Sequence, residues 1–127
     1  MFISIDGDNI GKKLEKFIFL GDIHGLNKFS CTISTKVQSL STLITELGGE
    51  VHIAAGDNLL ASISEHSSDK VLLSVKKINT QEFAFSVGFS QDIKACYLAL
   101  KYAKTLGSRH FVQATLNGQK IEYVVVE

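Results

Sequence analysis

Two short acidic segments hold the residues whose types could do chemistry. Asp6, Gly7, Asp8 and Asn9 follow one another near the start of the chain, and Gly56, Asp57 and Asn58 stand near its middle. Each segment alone also reads as an ordinary turn, because Gly, Asp and Asn are the residues turns favour. Held a few ångströms apart, the carboxylates of Asp6 and Asp57 would repel, which raises the pKa of one unless a cation lies between them. Hard divalent cations with oxygen ligands are the usual solution. Gly7 and Gly56, lacking a Cβ, would let backbone and phosphate come close. Acidic points, close-approach glycines and a divalent cation together suggest phosphoryl transfer on a nucleotide.

The elements that must bring these segments together can be read from periodicity. Met1 to Asp6 alternates as a strand, with Ile3 and Ile5 on one face. Residues Gly7 to Gly11 are turn chemistry, and Lys12 to Phe19 reads as a short helix ended by Gly21. A long helix is expected from about Leu26 to Leu47. Its apolar residues Leu26, Phe29, Ile33, Val37, Leu40, Ile44 and Leu47 form one stripe, and Gly48 and Gly49 close it. Glu50 to Ile53 and Leu59 to Ile63 flank the second acidic segment as a hairpin. Ser67 and Ser68 are placed to cap a helix carrying Val71, Leu72, Val75 and Ile78. Phe83 to Phe89 alternates as a strand, with Ala84, Ser86 and Gly88 on its second face. Ser90 is placed to cap a helix that runs through Ile93, Cys96, Leu100 and Ala103 to Gly107. His110 to Thr115 and Ile121 to Val126 flank Asn117 and Gly118, a strong hairpin signal.

This order contains a βαββαβ unit, which an antiparallel sheet with helices stacked on one face closes economically. In that arrangement the first strand runs beside the central hairpin. The end of the strand at Asp6 and the hairpin tip at Asp57 then share one edge of the sheet.

The 127 residues make one domain, large enough to fold without a staple or a structural metal. Lys plus Arg and Asp plus Glu each number 13, so the formal charge is zero. That balance argues against a protein that coats duplex nucleic acid, whose affinity comes from dense positive charge. A small phosphorylated ligand needs only a few local charges. An apolar fraction of 45% excludes disorder. No apolar run approaches the ~20 residues of a membrane span, and Met1 leads into a strand pattern rather than a signal peptide. Cys31 and Cys96 are too few and too scattered for a disulfide framework or a thiolate zinc site. They read as reduced core thiols of a cytoplasmic protein. Tyr123 to Val126 is very apolar for an edge strand, which invites pairing with another chain. A homodimer is expected there or across the active-site face.

A second constellation competes. Gly21-Asp22-Ile23-His24-Gly25 resembles the first metal motif of calcineurin-like phosphoesterases, which would make Asp22 and His24 ligands for two-metal hydrolysis. No Gly-Asn-His follows Asp57, and His52, His66 and His110 lack paired ligand spacing. The plainer reading makes Asp22 the N-cap of the long helix and His24 an exposed first-turn residue.

Ile3 to Gly11 resembles the first palm motif of the CRISPR type III large-subunit polymerase and of its single-domain relatives, the minimal CRISPR polymerases. Ala55-Gly56-Asp57-Asn58 stands where those proteins and the GGDEF cyclases carry their acidic hairpin. Ser86 to Ser90 is similar to the next GGDEF strand, and Ala99 to Gly107 is similar to the closing Ala-Leu-Tyr-x-Ala-Lys-x-x-Gly helix. The resemblance spans nearly the whole chain in the right order, and the minimal CRISPR polymerase family fits best.

It implies an α+β, ferredoxin-like palm: a βααββαβα core with a C-terminal β-hairpin, mainly antiparallel, with helices on one face. It implies a nucleotidyltransferase that makes a cyclic dinucleotide from ATP or another NTP. Two Mg²⁺ or Mn²⁺ ions would be held by Asp6 and Asp57 as catalytic ligands, by the Gly7 carbonyl, and by Asp8. Asn9, Ile10, Gly11, Gly56, Asn58, Lys104 and Arg109 would contact the nucleotide, Lys104 matching the lysine that grips the triphosphate. The resemblance further implies antiphage signalling through a product read by a separate effector. Two departures stand out: Asn58 replaces the second hairpin acid, and Ser108 falls where GGDEF cyclases carry a phosphate-binding arginine, with Arg109 directly after it. Asn58 also leaves open a degenerate palm that binds nucleotide as a sensor.

Overall fold

A computed structural model describes residues 1–126. Strand β1 (Phe2–Gly7) leads into helices α1 (Ile10–Phe19) and α2 (Ile23–Glu46). The hairpin β2 (Glu50–Ala55) and β3 (Asn58–Ser62) precedes α3 (Glu65–Ile78), β4 (Phe85–Ser90) and α4 (Ile93–Thr105). Strands β5 (Phe111–Asn117) and β6 (Lys120–Val126) end the described chain.

One sheet of six strands has the order β2-β3-β1-β4-β5-β6. Strand β1 lies inside it, antiparallel to both neighbours, with Asp6 opposite Asn58 of β3 on one side and Ser86 of β4 on the other. The alternation of β1 explains its two roles. Ile3 and Ile5 are fully buried with Leu59, Val87 and Phe89 against the stripe of α2, Ile33, Val37, Leu40 and Ile44. Each such side chain contributes roughly 1.5–3 kcal/mol relative to exposure. Ser4 and Asp6 face the other way.

The expected mainly antiparallel sheet holds, with four of its five strand pairs antiparallel, but the expectation of helices on one face needs correction. Strands β4 and β5 are parallel, so the sheet is mixed. Parallel neighbours require a crossover, and α4 supplies it. Helices also lie on both faces. Helices α1, α2 and α3 cover the face of Ile3, Phe85, Val87 and Phe89, whereas α4 covers the face of Ser86 and Gly88. The physical reason lies in β4, whose six residues are all buried, so both of its faces need a cover.

Helix α4 sits unusually close to its strand. Ala95, Ala99 and Ala103 form its buried edge, and a Cβ on Gly88 would meet the Leu100 amide and lie 2.7 Å from the Cys96 carbonyl oxygen. This close approach delivers Lys104, the residue after Ala103, to the end of β1.

Element boundaries shift in places. Helix α1 starts at Ile10 rather than Lys12, because Asn9 takes a left-handed conformation (φ 57°) and turns the chain in two residues. Helix α2 starts at Ile23, with Asp22 as its N-cap accepting from the Gly25 amide at 2.9 Å. Ser64 and Asp92, not Ser67 or Ser90, occupy the N-cap positions of α3 and α4. Only Cys96 is a core thiol; Cys31 is exposed on α2. Among the described residues no helix is long and apolar enough to cross a membrane.

Candidate functional site

The β2–β3 hairpin turns in two residues, Gly56 and Asp57, between the paired Ala55 and Asn58. Gly56 has φ 60°, which a two-residue turn demands and glycine adopts without strain. Nothing lies within 4 Å of where its Cβ would be, so Gly56 serves the turn rather than a close contact. Close approach is the role of Gly7. A Cβ there would lie 2.9 Å from Oδ2 of Asp57 and would run into Ile10. The Gly7 amide donates to the Asp57 carbonyl at 3.0 Å, joining the two acidic segments directly.

The Asp57 carboxyl is pushed above its ordinary value of 3.8, first by burial and then by the charge of Asp6. Lys104 opposes that shift. Its ammonium lies 3.1 Å from Oδ2 of Asp6, 2.7 Å from the Gly7 carbonyl oxygen, 3.4 Å from the Asp6 carbonyl oxygen and 3.0 Å from Oδ1 of Asp8.

Asp8 differs from the other two acids. It is only 6% exposed, and both carboxylate oxygens are engaged. The Ser86 hydroxyl donates to Oδ1 at 2.8 Å and to Oδ2 at 2.9 Å, and the Arg109 amide donates to Oδ2 at 3.0 Å. The Asp8 amide in turn donates to the Ala84 carbonyl at 2.8 Å. Arg109 is left-handed, with φ 67°, and its guanidinium is turned to the Thr80 carbonyl.

The structure therefore gathers Asp6, Gly7, Asp8, Asp57 and Lys104, with the backbone of Arg109. The remaining residues of the expected nucleotide set spread around that centre. Ile10 is buried in the core beneath Gly7, while Gly11 is exposed at the first turn of α1. Asn9 makes no side-chain cap, and the first turn of α1 carries no acidic residue. That helix end offers amide donors and a positive dipole end to an anion. Asn58 is exposed beside Asp6. Asp22 and His24 stand at the far end of α1, whose ten residues span about 15 Å.

Ser86 is the neighbour of the acidic cluster that sequence reading did not single out. Its signal is visible in retrospect: a polar residue within the small-residue face of a strand whose other face is aromatic and aliphatic.

Among the described residues no three His, Cys, Asp or Glu side chains are grouped to hold a metal ion. The donor set at Asp6, Asp57 and Gly7 is nevertheless all oxygen, and the Asp6 carboxylate and the Gly7 carbonyl already meet a positive centre, the Lys104 ammonium. Such donors fit a hard divalent cation.

A family model described as the minimal CRISPR polymerase domain matches residues 2–114. The chain belongs to the minimal CRISPR polymerase family. The match runs from β1 into β5 and includes every site residue named above; β6 lies beyond it. Among solved structures, a bacterial light-regulated adenylyl cyclase aligns with a TM-score of 0.42 and 12% identity, covering 99% of this chain and 62% of that one. The minimal CRISPR polymerase chain thus spans under two-thirds of that cyclase's length. Comparison with curated proteins finds no match.

Proposed function

We propose that this domain is a nucleotidyltransferase that joins two ATP molecules into a cyclic dinucleotide. The observation that carries the reading is the joining of the two acidic segments: the Gly7 amide donates to the Asp57 carbonyl, and Lys104 meets the Asp6 carboxylate and the Gly7 carbonyl just before the α1 N-terminus. Asp6, Asp57 and the Gly7 carbonyl would hold divalent cations, Mg²⁺ or Mn²⁺. When bound, these supply Lewis-acid charge at the α-phosphate and at the attacking hydroxyl. The first-turn amides of α1 hold phosphate oxygens, and Lys104 grips the triphosphate. A ribose hydroxyl oxygen of one ATP bonds to the α-phosphorus of the other. The α–β phosphoanhydride bond breaks, pyrophosphate leaves, and the hydroxyl proton passes to solvent. A second such transfer closes the ring. No side chain stands as a general base, so positioning and charge supply most of the rate. Asp8, spent on Ser86, Lys104 and Arg109, holds the site together rather than ligating a cation.

Ring closure by one small site asks either that the intermediate turn around or that two protomers face each other. The regular outer strand β6, with Val124 and Val125 exposed, offers one edge for a homodimer. By family resemblance the product signals infection to a separate effector in the cytoplasm.

Asn58 favours a second reading, a palm that binds nucleotide and performs no chemistry. Nothing favours the phosphoesterase, because the Asp22 carboxylate is committed to capping α2. Incubation with each radiolabelled NTP and Mg²⁺ or Mn²⁺, followed by mass spectrometry, separates these readings. ATP should give a cyclic product and pyrophosphate, and Asp57→Asn should lower turnover by ~10²–10³-fold. Intact nucleotide binding with no pyrophosphate from any NTP would establish the sensor instead.

A further inference from the structure

Lys104 touches two of the three groups whose oxygens the proposed reading gives to the cations, Asp6 and Gly7. Its ammonium takes the Gly7 carbonyl at 2.7 Å and the Asp6 carboxylate at 3.1 Å, and the buried Asp8 steadies it at 3.0 Å. Asp8 is itself fixed by Ser86 and by the Arg109 amide, so this is a built seat rather than a passing surface contact. An ammonium and a divalent cation cannot share these oxygens at contact distance. The same ammonium, once it leaves them, is a positive group free to meet a polyphosphate. Lys104 is 28% exposed in its side chain and lies in the last turn of α4, so a rotamer change can carry it outward without moving the backbone.

We infer that Lys104 couples nucleotide binding to cation binding: seated, it guards the cation oxygens, and a triphosphate draws it off. This inference rests on the proposed function and adds to it an order of events that no single contact requires. By thermodynamic linkage the coupling is reciprocal, so cations raise nucleotide affinity by the factor that nucleotide raises theirs. Direct cation–phosphate bonding contributes coupling of its own. The part due to Lys104 is what its removal takes away.

The test is Mn²⁺ binding followed by electron paramagnetic resonance, with and without the non-reacting analogue α,β-methylene-ATP. It compares wild type with Lys104→Gln and, to keep the aliphatic stem, Lys104→Met. Without nucleotide, both variants should bind Mn²⁺ about tenfold more tightly than wild type. With the analogue bound they should bind it no more tightly than wild type, so the coupling factor falls about tenfold. A variant that gains the same factor with and without the analogue would show a fixed repulsive charge and overturn the inference. An unchanged Mn²⁺ affinity without nucleotide would overturn it equally. If wild type binds the analogue and Mn²⁺ with coupling that the variants keep, only the role of Lys104 falls. If wild type binds neither, the nucleotidyltransferase reading falls with it.

Discussion

The backbone amide of Gly7 donates to the carbonyl oxygen of Asp57 at 3.0 Å, closing the gap between the end of β1 and the tip of the β2–β3 hairpin. One hydrogen bond of this kind contributes only about 1 kcal/mol net. Its structural effect is larger, because it brings the Asp57 carboxyl under the influence of Asp6. The resulting shift of Asp57 has a testable sign.

Asp57→Asn should stabilise the cation-free protein at neutral pH. The folded-state carboxyl titrates above 3.8, pushed there by burial and by Asp6. Across the window between 3.8 and that raised value the folded state binds more protons than the unfolded one, so stability falls as pH rises. Above the window the cost of the ionised Asp57 is fully present, and asparagine removes it. Urea midpoints in chelator should be higher for the variant at pH 7, and the gain should shrink as pH is lowered toward 4. A variant that is less stable at pH 7 would refute the electrostatic account.

Gly88→Ala should damage both stability and the site. The added Cβ would strike the Leu100 amide and stand 2.7 Å from the Cys96 carbonyl oxygen, both backbone groups of α4. Overpacking of this kind costs about 1–3 kcal/mol. Relief requires α4 to back away from β4, which carries Lys104 away from Gly7. Denaturation curves and Mn²⁺ binding measured together check both effects; an unperturbed urea midpoint would contradict the packing described.

The two thiols should react very differently with an alkylating reagent. Cys96 is fully buried, its thiol donates to the Gly88 carbonyl at 3.3 Å, and burial pushes it up to about 12. Cys31 is exposed on α2. Only the thiolate attacks, so the native protein should take up one label quickly and a second only when α4 opens. Mass spectrometry of native and urea-treated samples counts them. Rapid double labelling of the native protein would mean that α4 does not cover β4.

Much of the fold was legible because it rests on local periodicity. The apolar stripe of α2, the alternation of β1 and β4, and the glycine turns each state their own geometry over a few residues. Boundaries slipped where one residue took an unexpected backbone state. Asn9 became left-handed, so Ile10 could enter the core two residues before the expected start of α1. The second cover on the sheet was missed because Ser86 and Gly88 look like a weak face. Their small size is what lets α4 lie almost on the backbone of β4.

From its sequence alone, this chain committed Asp6 to the end of one strand, Asp57 to a tight turn, and Lys104 to the last turn of a helix. Those are local outcomes of residue type and spacing. Which acid faces the lysine in the open and which is sealed beneath it depended on tertiary structure. Asp8 lies two residues from Asp6 and is chemically its twin. Only the turn at Asn9 and the donors on Ser86 and Arg109, contributed from distant parts of the chain, draw it inward. A carboxylate's role follows from the donors around it, and those were assembled by the packing of β4 and α4 against β1.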